Sequence, residues 1–248
     1  MRLSILAKII DLFFPRFCPI CGNRLAGEEE CICMSCNLHL PRTDTWENPY
    51  ENEMAKLFWH RIPIEKACSL FYYTSHSVCS NILYQLKYEH RPEIAFEMGR
   101  LLAQEGMRVS FFDDIDAIIP IPLAKNRLRE RGYNQSEEIA KGIALLTHLP
   151  IRTDIVKRIS FSESQTHKNR WERQKNVNQV FELAKPYILD NNASPTPKYE
   201  LHDKHFLLID DVCTTGATLI SCSQAIMGRK ENPQGIKFSV LSIGWTKN

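Results

Sequence analysis

No apolar run in this sequence is long enough to cross a bilayer, which takes about 20 consecutive residues. The nearest candidate, Leu3 to Phe14, is interrupted by Lys8 and Asp11 and carries no small-residue cleavage site. It is expected to form a short amphipathic helix, with Leu6, Ile9, Ile10 and Phe13 sharing a face that packs on the protein. Charge of one sign is missing too: 31 Lys and Arg stand against 29 Asp and Glu, a formal net charge of +2. Any case for a nucleic-acid partner therefore has to rest on local patches. Nor is there the charge excess that keeps disordered chains open, since hydrophobic residues make up 44% and charged ones 24%. Without a secretory segment, the nine cysteines are expected in a reducing, cytoplasmic setting, as thiols or metal ligands and not as a disulfide framework. A length of 248 residues suits one medium α/β domain with a small appendage.

What is present is concentrated in Phe206 to Leu219, F-L-L-I-D-D-V-C-T-T-G-A-T-L. Phe206-Leu207-Leu208-Ile209 has the pattern of a buried parallel strand, and it is expected to end in the carboxylates of Asp210 and Asp211. Thr214, Thr215, Gly216, Ala217 and Thr218 then offer hydroxyls and closely spaced N–H groups. Gly216 has no Cβ to obstruct an anion, and the helix expected to follow adds its positive end. An Asp-Asp pair alone also fits a metal site, a Walker-B-like element or a solvated turn. The continuation narrows these, because acceptors beside a phosphate cradle suit a sugar phosphate. The stretch closely resembles the signature of type I phosphoribosyltransferases. The resemblance implies that Asp210 and Asp211 hold the ribose 2′- and 3′-hydroxyls of phosphoribosyl pyrophosphate, and that residues 214 to 218 hold its 5′-phosphate.

Cys18-Pro19-Ile20-Cys21 and Cys33-Met34-Ser35-Cys36 are paired CxxC turns, which bring four thiolates onto one tetrahedral Zn²⁺. Four cysteines close the shell, so the metal is expected to be structural. Cys31 is a bystander, because Cys31 with Cys36 has the wrong spacing for a knuckle.

Residues 1 to 40 are thus expected to form a helix and zinc module, 41 to 66 a linker with a short helical pattern at Met54 to Trp59, and 67 to 248 the main domain. In that domain Ala67 to Tyr73 is an expected strand, Ile82, Leu83 and Leu86 mark a helix face, and Pro92 opens a helix ending near Gly106. A strand at Asp116 to Ile121 leads into an expected loop, Leu123 to Gln135. Lys125, Arg127, Arg129 and Arg131 stand there against Glu130, at the carboxyl end of a strand, where doubly wound sheets bind ligands. A solvated face is the alternative. Asn134 is expected to cap the next helix. A strand near Ile155 to Ile159 precedes Ser160 to Asn178, which is polar and basic and suits a mobile lid over an anion or a disordered insertion. Val180 to Leu183 resumes a strand, Lys185 to His202 reads as a surface loop, Ala217 to Met227 as a helix and Ile236 to Ile243 as the closing strand.

Taken together, C-P-I-C-G and C-M-S-C, L-K-Y at Leu86 to Tyr88, P-I-P-L at Pro120 to Leu123, R-L-R-E-R-G-Y-N-Q at Arg127 to Gln135, Gln165-Thr166, the Arg170, Arg173 and Asn176-Val177 spacing, and the phosphate motif resemble the ComF/GntX phosphoribosyltransferase-like family of competence-related proteins. The resemblance implies a four-cysteine zinc module on a type I phosphoribosyltransferase fold, doubly wound about a mainly parallel sheet, and a role in handling incoming single-stranded DNA. Two departures stand out. Glu89-His90-Arg91 replaces the small or glycine-bearing turn usual after L-K-Y, leaving Lys87 without an assigned ligand role. Cys213 replaces an aliphatic residue and is read as a small buried hydrophobe.

Two function classes follow. In the first, a pentosyl transferase, Mg²⁺ and phosphoribosyl pyrophosphate bind across Asp210, Asp211 and the 214 to 218 loop. Lys125, Arg127, Arg129 and Arg131 neutralise the pyrophosphate, and Gln165, Arg170 and Arg173 belong to the lid. Thr214 stands where purine-type enzymes carry a base-binding carboxylate, so no such base contact is expected. In the second, the fold is a non-catalytic module for nucleotide or single-stranded DNA, with Tyr133 and Trp171 as stacking residues and the zinc module meeting competence partners.

Overall fold

The computed structural model describes residues 13–27, 29, 31–74, 77, 79–159, 180–184, 201–228 and 235–247. The expected amphipathic helix therefore lies outside the described residues apart from Phe13, as do the expected lid and most of the 185 to 202 loop. Among the described residues, no helix is long and apolar enough to cross a membrane.

Four parallel strands form the central sheet in the order β1 (Ile64–Tyr72), β6 (Lys237–Trp245), β5 (His205–Cys213), β2 (Ala117–Pro120). Its strands are apolar on both faces because both are covered. Leu207, Ile209 and Ile118 point into one core layer, and Phe206, Leu208 and Ile119 into the other. The first layer is roofed by α3 (Ser80–Tyr88), α4 (Pro92–Met107) and α6 (Gln135–Thr147); the second by α2 (Glu53–Lys56) and α7 (Ala217–Met227). Helices on both faces of a parallel sheet make the doubly wound α/β arrangement that the sequence led us to expect. Helices α4 and α6 cross closely at Gly99 and Gly142, where a Cβ would run into the facing backbone carbonyl of Ile139 or Phe96. That contact sets α6, and with it the residues at its amino end.

Three expectations change. The strand does not stop at Ile209: β5 runs on through Asp210 and Asp211 to Cys213, because β6 continues beside it as far as Trp245. The basic stretch after β2 is mostly helix, α5 (Lys125–Arg131), which suits a run of Lys, Arg, Leu and Glu. The strands flanking the expected lid, β3 (Val156–Arg158) and β4 (Phe181–Leu183), pair antiparallel with each other and not with the central sheet.

Within 41 to 66, the expected linker, Met54, Ala55 and Phe58 are fully buried beneath the sheet. Asn52 caps α2, accepting from the N–H groups of Met54 and Ala55 at 2.9 Å each. This stretch supplies core as well as connection. Residues 13 to 40 hold α1 (Met34–Leu38) and a small separate cluster of Cys18, Leu25 and Cys33.

Candidate functional site

The connection leaving β2 goes to α6 on one face of the sheet, and the one leaving β5 goes to α7 on the other. Neighbouring strands whose connections part in this way leave a crevice at their carboxyl ends. The pairing of β2 with β5 ends at Pro120 and Ile209, so Asp210 onward has an open edge. A cavity of about 310 Å³ lies there, lined by Asp210 and Asp211 from β5, Thr214 from the turn after it and Thr218 from the first turn of α7. Arg127, Arg131, Arg158 and Lys87 line it from the other sides.

Helix geometry explains why only half of the basic run faces the cavity. Arg127 and Arg131 are four residues apart, one above the other on α5, whereas Lys125 and Arg129 fall on another side and do not line it. Asn134 fixes the start of α6 at the rim: its side chain accepts from Ser136 N–H at 3.1 Å and donates to Ile121 C=O at 3.0 Å, the cap expected of it.

The two carboxylates are not equivalent. Asp211 pairs with Lys87, Oδ2 to Nζ 3.0 Å, and its N–H donates to Asp210 Oδ1 at 2.9 Å. Burial, then the adjacent Asp211, push Asp210 up to about 7, against the pull of Lys87 and Arg158. Asp210 thus exchanges a proton near neutrality. Cys213 is 1% exposed and burial pushes its thiol up to about 12, so it stays protonated, in keeping with a packing role.

Gly216 has a φ of 72° and precedes α7. Thr215, Gly216 and Ala217 do not line the cavity with side chains; what this turn can offer is backbone N–H groups at a helix start. A Cβ on Gly216 would sit 2.9 Å from Cε1 of the fully buried Phe58. Gly216→Ala is therefore expected to destabilise by roughly 1–3 kcal/mol, from left-handed backbone strain and overpacking together. An unchanged thermal midpoint would contradict this account of the turn.

Lys87 and Arg158 were not assigned to the site from sequence. Of the two, Lys87 had a signal in the L-K-Y motif, while Arg158 had none. Gln165, Arg170, Arg173 and Trp171 lie outside the described residues. Tyr133, expected as a stacking residue, donates its hydroxyl to Leu86 C=O at 2.6 Å and packs on the core, so it is committed to structure.

At the other end of the chain, the thiols of Cys18, Cys21, Cys33 and Cys36 all lie within 4.8 Å of one another. The Cys21 to Cys33 separation is 3.7 Å, against about 3.8 Å for two sulfurs on a tetrahedral Zn²⁺ at 2.3 Å each. The donor set can thus hold a metal ion with all four positions filled by protein. Cys31 is outside this group, and burial pushes it up to about 12.

No family model matches the chain. It is 25% identical over 218 residues, 85% of its length and 83% of the relative's, to the DNA utilization protein YhgH of Escherichia coli O6:H1. It is 25% identical to the competence protein ComFC of Bacillus subtilis, covering 90% of this chain and 77% of that one. It is 28% identical to the competence protein F of Haemophilus influenzae, covering 59% of this chain and 61% of that one. Among solved structures, hypoxanthine phosphoribosyltransferases of Staphylococcus aureus (TM-score 0.31, 16% identity, 68% of this chain and 71% of that one) and Trypanosoma cruzi (0.32, 12%, 65% and 76%) are retrieved. Two of the sequence relatives extend over most of the chain, and at 25–28% identity the chain is similar to proteins named for competence and DNA utilization, the similarity expected of the ComF family.

Proposed function

We propose that the crevice binds phosphoribosyl pyrophosphate, and that the protein is a phosphoribosyltransferase-type enzyme serving competence-related DNA uptake. The observation that carries this is the meeting of two acceptors, Asp210 and Asp211, with phosphate donors at Thr214 and Thr218 and cations at Arg127, Arg131 and Arg158, in one cavity of about 310 Å³. A ribose needs the first group and its phosphates need the others.

In this reading Asp210 and Asp211 accept the ribose hydroxyls, and the turn before α7 donates N–H and hydroxyl groups to the 5′-phosphate. Cleavage at the anomeric carbon leaves positive charge on the sugar and negative charge on the departing pyrophosphate. Arg127 and Arg131 are placed to stabilise the latter, while Lys125 and Arg129 lie farther off and contribute only long-range field. Asp210 and Asp211 would, with the diphosphate, hold Mg²⁺, which would supply further charge neutralisation. Residues 160 to 178, with Gln165, Arg170 and Arg173, would close as a lid, anchored where Arg158 already faces the cavity. The cysteine cluster is proposed to hold one structural Zn²⁺, and a cytoplasmic setting follows from reduced thiols. Competence proteins and DNA are the proposed partners, in keeping with relatives named for competence and DNA utilization, and single-stranded DNA is the form that the family resemblance implies.

Calorimetry tests the reading. One saturable site per chain is expected for phosphoribosyl pyrophosphate with Mg²⁺, together with protection of the 160 to 178 region from limited proteolysis. No binding heat, beside oligonucleotide binding that falls steeply with salt, would leave the non-catalytic DNA module in its place.

A further inference from the structure

The acidic pair and the cysteine cluster are joined by one short helix, α3. From its first turn and from just past its middle, Asn81 and Gln85, one turn apart, both donate to the carbonyl of Pro19, at 3.0 and 2.7 Å. Pro19 lies inside the first CxxC knuckle, between Cys18 and Cys21. At the other end, the carbonyl of Leu86 accepts from Tyr133 Oη at 2.6 Å and Gln135 Nε2 at 3.0 Å. The next residue is Lys87, whose Nζ is 3.0 Å from Asp211 Oδ2, with the two side chains 27% and 14% exposed. Gln85 is itself buried, so its bond to Pro19 is shielded from water, where such bonds are costly to leave unmade.

We infer that Lys87 is a positioning residue that sets Asp211 for the ribose hydroxyls, and that its own place is set by the cysteine knuckle through α3. This rests on the proposed reading of the crevice. Two adjacent carboxylates cannot both stay charged cheaply without a cation, and a carboxylate with one oxygen on an ammonium has its plane fixed, leaving the other oxygen for a ligand. Arg127 and Arg131 on α5 and Arg158 on β3 face the same cavity, but the ion pair to Asp211 is made by Lys87. A shift of α3 along its axis would carry Lys87 off Asp211, and the bonds to Pro19 oppose that shift from the metal side. The module would then act on the crevice without touching it.

A double-mutant cycle on the full chain, read by calorimetry with phosphoribosyl pyrophosphate and Mg²⁺, tests this. Lys87→Met is expected to weaken binding tenfold or more, with Lys87→Arg in between. Its affinity should also rise with pH at a higher midpoint than in the wild type, which a merely structural lysine would not produce. Asn81→Ala with Gln85→Leu changes no charge and should weaken binding threefold or more while zinc content, measured on the same samples, holds. Added to Lys87→Met, that pair should cost nothing further, since both act through one contact. Additive losses, an unmoved pH midpoint, or unchanged affinity in Lys87→Met would overturn the inference. A wild-type protein that does not bind would overturn the reading of the crevice and this inference with it, whereas wild-type binding with unaffected variants would overturn this inference alone.

Discussion

Asp210→Asn combined with Asp211→Asn is expected to weaken phosphoribosyl pyrophosphate binding by at least tenfold, and up to a few hundredfold, in a protein that still folds. Hydrogen bonds to a charged acceptor contribute about 1.5–3 kcal/mol each, and about 1.4 kcal/mol is a factor of ten. The singles should differ. Asp210, pushed up to about 7, is largely protonated below that pH, so at pH 6 most of the loss should come from Asp211→Asn. The gap should close by pH 8. Wild-type affinity should rise over the same interval as Asp210 ionises. Stability runs the other way: the folded chain keeps a proton on Asp210 between about pH 4 and pH 7 that the unfolded chain has released, so stability falls as pH rises through that window. Asp210→Asn removes this loss and should raise the thermal midpoint at pH 8. DNA binding should hold or rise slightly in the double variant, because fewer negative charges face the phosphates. Unchanged affinity for phosphoribosyl pyrophosphate in the double variant would make the acidic pair a relic and favour the DNA module.

The parts of this site legible in the sequence are those written within a dozen consecutive residues. The apolar run, the acids and the T-T-G-A-T turn share one strand, one turn and one helix start, so local pattern suffices. The cysteine knuckles are legible for the same reason. What local pattern got wrong was decided by distant backbone. Asp210 and Asp211 are poor strand formers, yet β5 carries them because β6 offers a hydrogen-bonded neighbour as far as Trp245. Residues 125 to 131 were assigned to a loop on the strength of position and charge, although their helix-forming composition was in plain view. That choice hid the spacing that turns Arg127 and Arg131 inward and the other two basic residues away. Lys87 and Arg158 belong to the cavity through tertiary placement alone: one comes from a helix far upstream of Asp211 and the other from a strand outside the central sheet. Unequal carboxylates follow from the same placement, since Asp211 makes the ion pair to Lys87 while Asp210 accepts the Asp211 N–H.

The second large effect is expected at the cysteine cluster. Cys33→Ser should take the protein from one zinc per chain to almost none and unfold residues 13 to 40. The module has little core of its own, although Ile20, Cys31, Ile32 and Leu40 also pack on the main core. Helix α1 has five residues and buries none of them, and the local core consists of Cys18, Leu25 and Cys33 with Ile20, Ile32 and Cys36 packed against it. So small a core of its own repays little of the entropy of ordering the chain, whereas structural zinc contributes about 10–16 kcal/mol in peptides of comparable size. Cys33 is also the N-cap of α1, accepting from Cys36 N–H at 3.4 Å, so its loss removes a ligand and a cap together. Cys31→Ser is the matched control: it lies outside the four converging thiols and should keep full zinc. Elemental analysis and limited proteolysis of the two variants check this, and zinc-free wild-type protein or full retention in Cys33→Ser would overturn the ligand set. Because Pro19 sits inside the first knuckle and accepts from Asn81 and Gln85, unfolding the module also releases α3. Cys33→Ser should therefore lose affinity for phosphoribosyl pyrophosphate at least as far as Asn81→Ala with Gln85→Leu does, although no cysteine of the cluster lines the crevice.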